Sequence, residues 1–232
     1  MKHKMLIISV LMLLLCFFLI YMFKDIGPVK QTATVYDATP PAIPYDLIID
    51  EGIYKSYFNN TLHEPVFVSY DMFNGGGREV HCKRNGFHFY NDRSDAQTAK
   101  NKDYKKPYDK GHLADAEDFA FDCDLDEKTF RYYNCVPQTE HLNRGPWREW
   151  ETIVRKQSAS DSLHIVTGSI FSNKCIGPDS IYVPDYCWKV VESISRKTIL
   201  EVIYCDNTDT ATCDTISFSV LRQKLGYNIP MR

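Results

Sequence analysis

The sequence predicts an α+β fold for residues 43–232. Several segments are rich in β-forming residues, whereas one stretch carries apolar residues at helical spacing. Strands and helices do not alternate regularly along the chain, which is typical of an α+β fold. Hydrophobic residues make up 44% and charged residues 25% of the 232 positions, a composition typical of a globular domain with a substantial core.

An uncharged apolar run at residues 5–23 precedes that domain. It is just long enough to span a bilayer as a helix, and Lys2 and Lys4 would keep its start in the cytosol. Residues 1–23 are therefore predicted to be a membrane anchor or a cleaved signal segment. Both alternatives place the rest of the chain outside the cytosol, either anchored to the membrane or secreted or periplasmic. Residues 24–45 contain four prolines and no periodicity, so we assign residues 24–42 to a linker.

Four segments predict strands in the domain. "PVFVSYDM" at residues 65–72 alternates in the manner of a strand and is followed by a "GGG" turn at residues 75–77. "LHIVTGSIF" at residues 163–171 is mostly apolar, which is typical of a buried strand. "YCWKVVESI" and "TILEVIYC" near the C-terminus predict two further strands, which we expect to be neighbours in the sheet.

One helix is predicted to begin near Asn143. The side chains at helical spacing are Trp147, Trp150, Ile153 and Val154. Pro146 is tolerated only in the first turn of a helix, which sets the predicted start. On a continuous helix Asn143, Trp147 and Glu151 would share one face, with an amide oxygen and a carboxylate directed the same way. The alternative is a capping asparagine and a solvent-exposed glutamate.

Seven cysteines follow the apolar run: Cys82, Cys123, Cys135, Cys175, Cys187, Cys205 and Cys213. None forms a CxxC pair, so a zinc ribbon or a thioredoxin-like redox protein is not indicated. Outside the cytosol disulfides are expected, and Cys205 and Cys213 flank a polar stretch that a bridge could close. An odd number leaves at least one thiol without an intramolecular partner. Several buried free cysteines remain the alternative.

Residues 108–119, "YDKGHLADAEDF", are too polar for an ordinary core segment. Asp109, Lys110 and His112 stand close together, and this pattern suits a polar loop, a metal site or a reaction centre. Three further acidic residues follow, which we expect to be loop and capping residues: Asp115, Glu117 and Asp118.

Four segments occur in a characteristic order: "YDKGH", "YYNCVPQTEHLNRGPWREWE", "HIVTGSIF" and "VPDYCWKVV". Together they resemble the DNA/RNA non-specific endonuclease family, whose signature is D-R-G-H, then N-x-x-P-Q, then N-x-G-x-W with a glutamate on the following helix. The likeness extends over most of residues 43–228. It implies a ββα-metal (His-Me finger) fold, in which a central, mainly antiparallel sheet is flanked by helices.

The resemblance also implies roles for individual residues. His112 would be the general base that activates water, a task that suits a neutral imidazole. Asn143 would bind a divalent cation directly, Mg²⁺ being expected and Mn²⁺ or another divalent ion also fitting. Glu151 would hold waters bound to that cation. Asp109 would do the same or orient the His112 loop, and Asn134 would support that loop or the phosphate.

Two basic residues near the motif are less certain matches to the family. Arg84 takes the place of an upstream phosphate-binding arginine, the alternative being an exposed loop arginine. Lys110 stands where the family usually has arginine, so it keeps the charge but lacks the bidentate geometry of a guanidinium. This departure concerns the strength of phosphate binding rather than the class of reaction.

A lysine cluster precedes the motif: Lys100, Lys102, Lys105, Lys106 and Lys110. The net charge of the whole chain is −3, so binding of a polyanion would depend on such a local cluster. We expect Lys102, Lys105 and Lys106 in particular to hold the backbone of DNA or RNA, the alternative being a solvated face. No known base-reading motif is present, so sequence-specific recognition is not indicated.

The sequence therefore predicts a metal-dependent endonuclease that hydrolyses phosphodiester bonds of DNA, RNA or both. The alternative is a catalytically inactive, membrane-tethered nucleic-acid-binding protein of the same fold. Retention of His112, Asn143 and Glu151 favours the enzyme. A homodimer is compatible with the sequence, and the preference between DNA and RNA stays open.

Overall fold

The computed structural model describes residues 44–77 and 82–232. The predicted membrane or signal segment at residues 1–23 and the linker at residues 24–42 lie outside the described residues. Among the helices of the described ranges, none has the length and apolarity needed to cross a membrane.

Nine strands and four α-helices occur in the described part of the chain. The strands are β1 (Leu47–Asp50), β2 (Tyr54–Asn59), β3 (Glu64–Met72), β4 (Tyr108–His112), β5 (Cys135–Thr139), β6 (Leu163–Ile176), β7 (Ile181–Ser193), β8 (Thr198–Asp206) and β9 (Cys213–Thr215). The helices are α1 (Cys123–Lys128), α2 (Glu140–Arg144), α3 (Pro146–Gln157) and α4 (Phe218–Leu225). Short 3₁₀ turns lie at Asn101–Asp103, Ala116–Asp118 and Tyr132–Asn134.

Seven strands form one antiparallel sheet in the order β1-β2-β3-β6-β7-β8-β9, and β4 pairs with β5 in a separate two-stranded sheet. The α+β prediction is confirmed. The predicted strands at residues 65–72 and 163–171 are confirmed as parts of β3 and β6. The two C-terminal strands are β7 and β8, which are neighbours as expected.

The central strands are buried on both faces because the sheet is covered on both sides. Ile165 of β6 and Val191 of β7 pack with α2 and α3 on one side, in the same core as Leu142. Val166 and Val190 are the immediate neighbours of these two residues in their strands, and they pack with α4 on the other side. This two-sided burial explains why β6 is apolar without a polar face.

The predicted single helix is in fact two helices, so the expectation that Asn143 and Glu151 lie on one continuous helix was wrong. Asn143 belongs to α2, and α3 begins at Pro146. Gly145 between them has φ −111° and ψ −113°, outside the helical region. Proline lacks the N–H that would continue the helix and disfavours a helical residue before it. A side chain at position 145 would also meet the carbonyl oxygen of His141 at 2.6 Å.

The small sheet carries the polar motif. Lys110 pairs with Pro137, and His112 pairs with Cys135 at the end of β4. Gly111 is required because the side chain of Gln138 lies over it, and a Cβ there would lie 2.1 Å from the Gln138 Oε1 atom. The motif is thus a strand that ends in a loop.

Two disulfides occur in the described residues, and one is the predicted Cys205–Cys213 bridge. The other joins Cys82 to Cys123 and ties the segment that contains Arg84 to the start of α1. The other three cysteines of the described ranges are free: Cys135, Cys175 and Cys187.

Candidate active site

His112 lies at the end of β4 with its ring between two phenylalanines. The ring centroids of Phe89 and Phe130 lie 4.7 and 4.8 Å from that of the imidazole. The Nε2 atom is enclosed and has no hydrogen-bond partner among the described residues. Burial lowers the pKa of His112 from its ordinary value of 6.5 to about 4, with Asp115 opposing and Arg84 reinforcing the shift. The imidazole is therefore neutral at pH 7, the form a general base requires.

Asn143 is oriented by Asp109. Its Nδ2 atom donates to Asp109 Oδ2 at 3.0 Å, and Arg144 donates to the same carboxylate through two bonds of 2.7 Å. Although burial opposes the shift, these hydrogen bonds hold the pKa of Asp109 below its ordinary value. With the amide nitrogen on Asp109, the amide oxygen of Asn143 is directed away from the carboxylate. This oxygen is the atom that would bind a cation.

Glu151 lies on α3 and is mostly buried, so the alternative of a solvent-exposed glutamate was wrong. Its side chain is 10% exposed, and its Oε1 atom lies 3.9 Å from the Nζ atom of Lys189. Lys189 is itself buried, with its ammonium 5.0 Å from the centre of the Trp147 ring. Burial raises the pKa of Glu151 well above its ordinary value, Asp115 adds to the shift, and Lys189 opposes it.

Arg155 is, together with Lys189, a site residue that the sequence reasoning missed. Its NH1 atom donates to Asp115 Oδ2 at 2.5 Å and also to Asp118. It follows Glu151 by four residues on α3, so the helical spacing that singled out Glu151 could also have indicated Arg155.

Asp115 and Asp118 were predicted to be loop and capping residues, but they also form buried ion pairs. Asp115 does cap its 3₁₀ turn by accepting from the Glu117 amide at 3.2 Å. Both carboxylates also pair with the buried guanidinium of Arg155, and the hydroxyl of Tyr70 donates to Asp118 at 2.8 Å.

Arg84 is held by two carboxylates. Its Nε atom donates to Asp126 Oδ2 at 2.8 Å, and its NH2 atom donates to Glu117 Oε2 at 3.1 Å. Arg84 does lie in a loop, but its side chain is half-buried, so the alternative of an exposed loop arginine was wrong. Its charge acts on His112, but a phosphate would compete with Asp126 and Glu117 for this guanidinium.

Asn134 forms hydrogen bonds to the loop that follows His112. Support of this loop was one of the two roles that the resemblance implied for it. Its Nδ2 atom donates to the carbonyl oxygens of Ala114 and Thr129, both at 2.9 Å, and its Oδ1 atom accepts from the Ala114 amide at 2.9 Å. The side chain is fully buried and its amide is engaged at both ends, so Asn134 does not offer a phosphate contact.

Some lysines of the cluster form ion pairs with acidic residues, and others are largely exposed. Lys100 and Lys102 both bind Asp179, at 2.9 and 2.6 Å, although these residues are far apart in the chain. Lys106 lies 3.8 Å from Glu140 and its side chain is 89% exposed. Because Lys100 and Lys102 share one carboxylate, their two charges are only partly offset, so the expectation that Lys102 binds a phosphate backbone stays a prediction.

Lys110 is similarly engaged. Its Nζ atom donates to Asn101 Oδ1 at 2.8 Å and lies 5.2 Å from the centre of the Tyr104 ring. Lys105 is exposed, and Lys174 from the β6–β7 hairpin adds a further cation, 5.2 Å from the centre of the Tyr108 ring. The exposed positive charge near the motif is thus shared between the loop before β4 and this hairpin.

The site suits a cation held by few protein ligands. The described residues contain no group of three or more His, Cys, Asp or Glu side chains that could hold a metal. A cation bound by the Asn143 oxygen, with waters held by Glu151, requires no such group. Mg²⁺ keeps several waters and is often bound by only one or two side chains.

Comparisons with known proteins show which proteins the chain resembles. A family model of DNA/RNA non-specific endonucleases matches residues 47–225. The chain is 29% identical over 107 residues to mitochondrial endonuclease G of Homo sapiens, covering 40% of this chain and 36% of that protein. It is 29% identical over 140 residues to the mitochondrial nuclease EXOG of Mus musculus, covering 53% of this chain and 37% of that protein. The aligned regions thus span little more than a third of these relatives.

A solved structure shows the same fold. A chain in the crystal structure of the EndoG/EndoGI complex, a study of the mechanism of EndoG inhibition, matches with a TM-score of 0.68. The two chains are 19% identical, and the match covers 81% of this chain and 86% of that one.

The buried, neutral state of His112 predicts a pH dependence of stability. Its pKa of about 4 in the folded state lies below 6.5, so the unfolded chain binds more protons between these values. The contribution of His112 to stability is present above pH 6.5 and is lost as the pH falls towards 4. The free energy of unfolding of the wild type should fall more steeply with decreasing pH over this interval than that of His112→Gln. The two slopes should differ by up to about 1.4 kcal/mol per pH unit. Urea unfolding at several pH values measures this difference, and parallel curves would contradict it.

Asn134→Ala should destabilise the fold. The variant leaves two buried carbonyl groups and one buried amide near His112 without their partner, which should lower the free energy of unfolding by at least about 2 kcal/mol. Asn228→Ala is the matched control, because Asn228 is exposed and accepts one bond of 3.3 Å from Arg222. Denaturant unfolding at pH 7 compares the two, and equal stabilities would show that Asn134 does not support the loop.

Proposed function

The chain belongs to the DNA/RNA non-specific endonuclease family, and from that premise we propose that it hydrolyses phosphodiester bonds of DNA and RNA with a divalent cation. One structural observation carries the proposal. Strand β4 presents both a neutral base, His112, and a carboxylate, Asp109, which fixes the amide of Asn143. A base and an oriented oxygen ligand for a cation are the two groups that metal-assisted hydrolysis requires.

His112 acts as the general base in this proposal. It removes a proton from the water that attacks phosphorus, and it is ready to do so because its environment keeps the ring uncharged at neutral pH. The enclosed Nε2 atom and the flanking phenylalanines limit the movement of the ring. Because Nε2 is enclosed, the attacking water would meet the other ring nitrogen, Nδ1, in a ring of fixed orientation.

Asn143 and Glu151 would hold the cation, the first directly and the second through water. When bound, Mg²⁺ or Mn²⁺ supplies positive charge that stabilises the pentacovalent phosphorus and the leaving 3′ oxygen. Asp109 contributes by holding the Asn143 amide, and Lys189 keeps a positive charge beside Glu151. Arg155 keeps α3 against the His112 loop through Asp115 and Asp118.

The substrate would be bound through its phosphates rather than its bases. Lys105 and Lys106 are exposed immediately before β4, and Lys174 is exposed on the neighbouring hairpin. Contacts of this kind carry no sequence information, which agrees with a non-specific nuclease. The two disulfides support the further proposal that the domain works outside the cytosol.

His112→Ala tests the proposed reaction. We expect the full-length variant to cleave supercoiled plasmid and RNA about 10²- to 10⁴-fold more slowly than the wild type in Mg²⁺, because the general base is lost. EDTA should abolish cleavage by the wild type. His88→Ala is the control, since His88 is an exposed histidine outside this site. Wild-type rates for His112→Ala would overturn the assignment of the base. Cleavage that continues in EDTA would overturn the requirement for a cation.

A salt titration tests the proposed docking residues. In a His112→Ala background, replacing Lys105 and Lys106 with alanine should reduce the slope of log affinity for duplex DNA against log salt by up to about 1.8, since each phosphate contact contributes roughly 0.9. Replacing Lys100 and Lys102 is the matched control, because both are already paired with Asp179. A larger effect in the control pair than in Lys105 and Lys106 would show that the backbone is bound elsewhere.

A further inference from the structure

A disulfide-closed loop lies beside the small sheet that carries the site. Residues 207–212 join β8 to β9, and the Cys205–Cys213 bridge closes the loop at its base. Asp206 braces the loop from within, accepting from the Thr208 hydroxyl at 2.6 Å and from the Thr212 amide at 2.7 Å. The loop therefore has a fixed shape, although most of its side chains are exposed.

Asn207 is buried within this exposed loop. Its Nδ2 atom donates to the carbonyl oxygens of Pro137 and Pro184, at 2.9 and 2.8 Å, and its Oδ1 atom accepts from the Thr139 amide at 2.8 Å. Pro137 and Thr139 belong to β5, whereas Pro184 belongs to β7. One side-chain amide thus joins the small sheet to the large one, and both ends of that amide are engaged.

Thr139 carries the connection from Asn207 to the proposed cation ligand. Its hydroxyl donates to the Thr208 carbonyl oxygen at 2.8 Å and accepts from the Leu142 amide at 3.2 Å, which caps α2. Asn143 follows Leu142 in this helix. On the other side, Thr139 pairs with Tyr108, the neighbour of Asp109 in β4. Both Asn143 and the carboxylate that orients it are therefore adjacent to residues that Thr139 holds.

The short helix depends on this connection for its position. α2 has five residues, and a helix of that length has little stability of its own in water. Its start is fixed by the Thr139 cap, and its end is broken at Gly145. A shift of Thr139 would therefore move Asn143 more readily than it would move the well-packed strands of the large sheet.

We propose that Asn207, acting through Thr139, is a positioning residue that sets the place of Asn143 and thereby the affinity of the site for a divalent cation. The inference rests on the proposed function, in which Asn143 is the direct ligand. It assigns to the disulfide-closed loop a role in the active site, although no residue of the loop would touch substrate or cation.

The experiment compares four variants of the full chain with the wild type: Asn207→Ala, Thr139→Val, Thr139→Ser and Thr210→Ala. Binding of Mn²⁺ is measured by electron paramagnetic resonance, and amide exchange of α2 is measured without metal. We expect Asn207→Ala and Thr139→Val to weaken Mn²⁺ binding about 10- to 100-fold, the usual effect of losing a group that orients a ligand. Exchange of the α2 amides should become faster in both variants.

The other two variants are controls. Thr139→Ser keeps the hydroxyl and should bind Mn²⁺ like the wild type, which separates the hydrogen bonds from the packing of the side chain. Thr210→Ala changes an exposed position of the same loop and should also behave like the wild type. If Asn207→Ala does not fold, Asn207→Ser replaces it, and the comparison of Thr139→Val with Thr139→Ser decides whether the Thr139 hydroxyl transmits the position of the loop to α2.

The outcomes distinguish this inference from the proposed function. Wild-type Mn²⁺ affinity and wild-type α2 exchange in Asn207→Ala and Thr139→Val would overturn the inference alone. A wild-type chain that neither binds Mn²⁺ nor cleaves nucleic acid would overturn the proposed function and the inference with it. Weakened Mn²⁺ binding in Asn207→Ala and Thr139→Val, with Thr139→Ser unchanged, would establish the positioning role.

Discussion

The buried ion pairs of Arg155 are the constraint on which the rest of the site depends. The guanidinium connects α3 to Asp115 and Asp118, which lie in the segment that follows His112. Buried charges are tolerated when they are paired, and removal of one partner leaves the others buried and uncompensated. The distance between the helix that carries Glu151 and the strand that carries His112 is therefore fixed by electrostatics as well as by apolar packing. A neutral residue at position 155 would remove this connection.

Three polar connections orient the site, because the groups proposed to act lie on separate short elements. Asp109 holds the amide of Asn143, Asn134 holds the loop after His112, and Arg155 holds α3. Each connection is made by a side chain that would not take part in the chemistry. Short helices and a two-stranded sheet have little stability alone, so these side chains supply what regular secondary structure does not. The large antiparallel sheet provides the rigid surface beneath them.

The sequence predicted those features that depend on local pattern. The strands in β3 and β6 follow from runs of β-forming residues, and the Cys205–Cys213 bridge follows from two cysteines around a short polar stretch. The break before Pro146 was missed because proline is also acceptable in the first turn of a helix, and only the backbone at Gly145 shows which applies. The pairing of Lys102 with Asp179 joins residues far apart in the chain, so no local pattern contains it.

The charges around the site explain why a divalent cation would be needed for cleavage of a polyanion. Three buried or mostly buried carboxylates, Asp115, Asp118 and Glu151, face two cationic groups, Arg155 and Lys189. Burial raises the pKa of Glu151 well above its ordinary value and that of Asp118 to about 6, so protons and the two cations together offset the carboxylates. With His112 also neutral, the cluster offers a phosphate no clear excess of positive charge. The exposed lysines lie around the site rather than within it, so they can attract a nucleic acid but cannot neutralise its phosphate at the point of cleavage. A bound divalent cation would supply the missing positive charge. The side chains would thus bind and orient the substrate and remove the proton, whereas the cation would neutralise the charge of the phosphate at the point of cleavage.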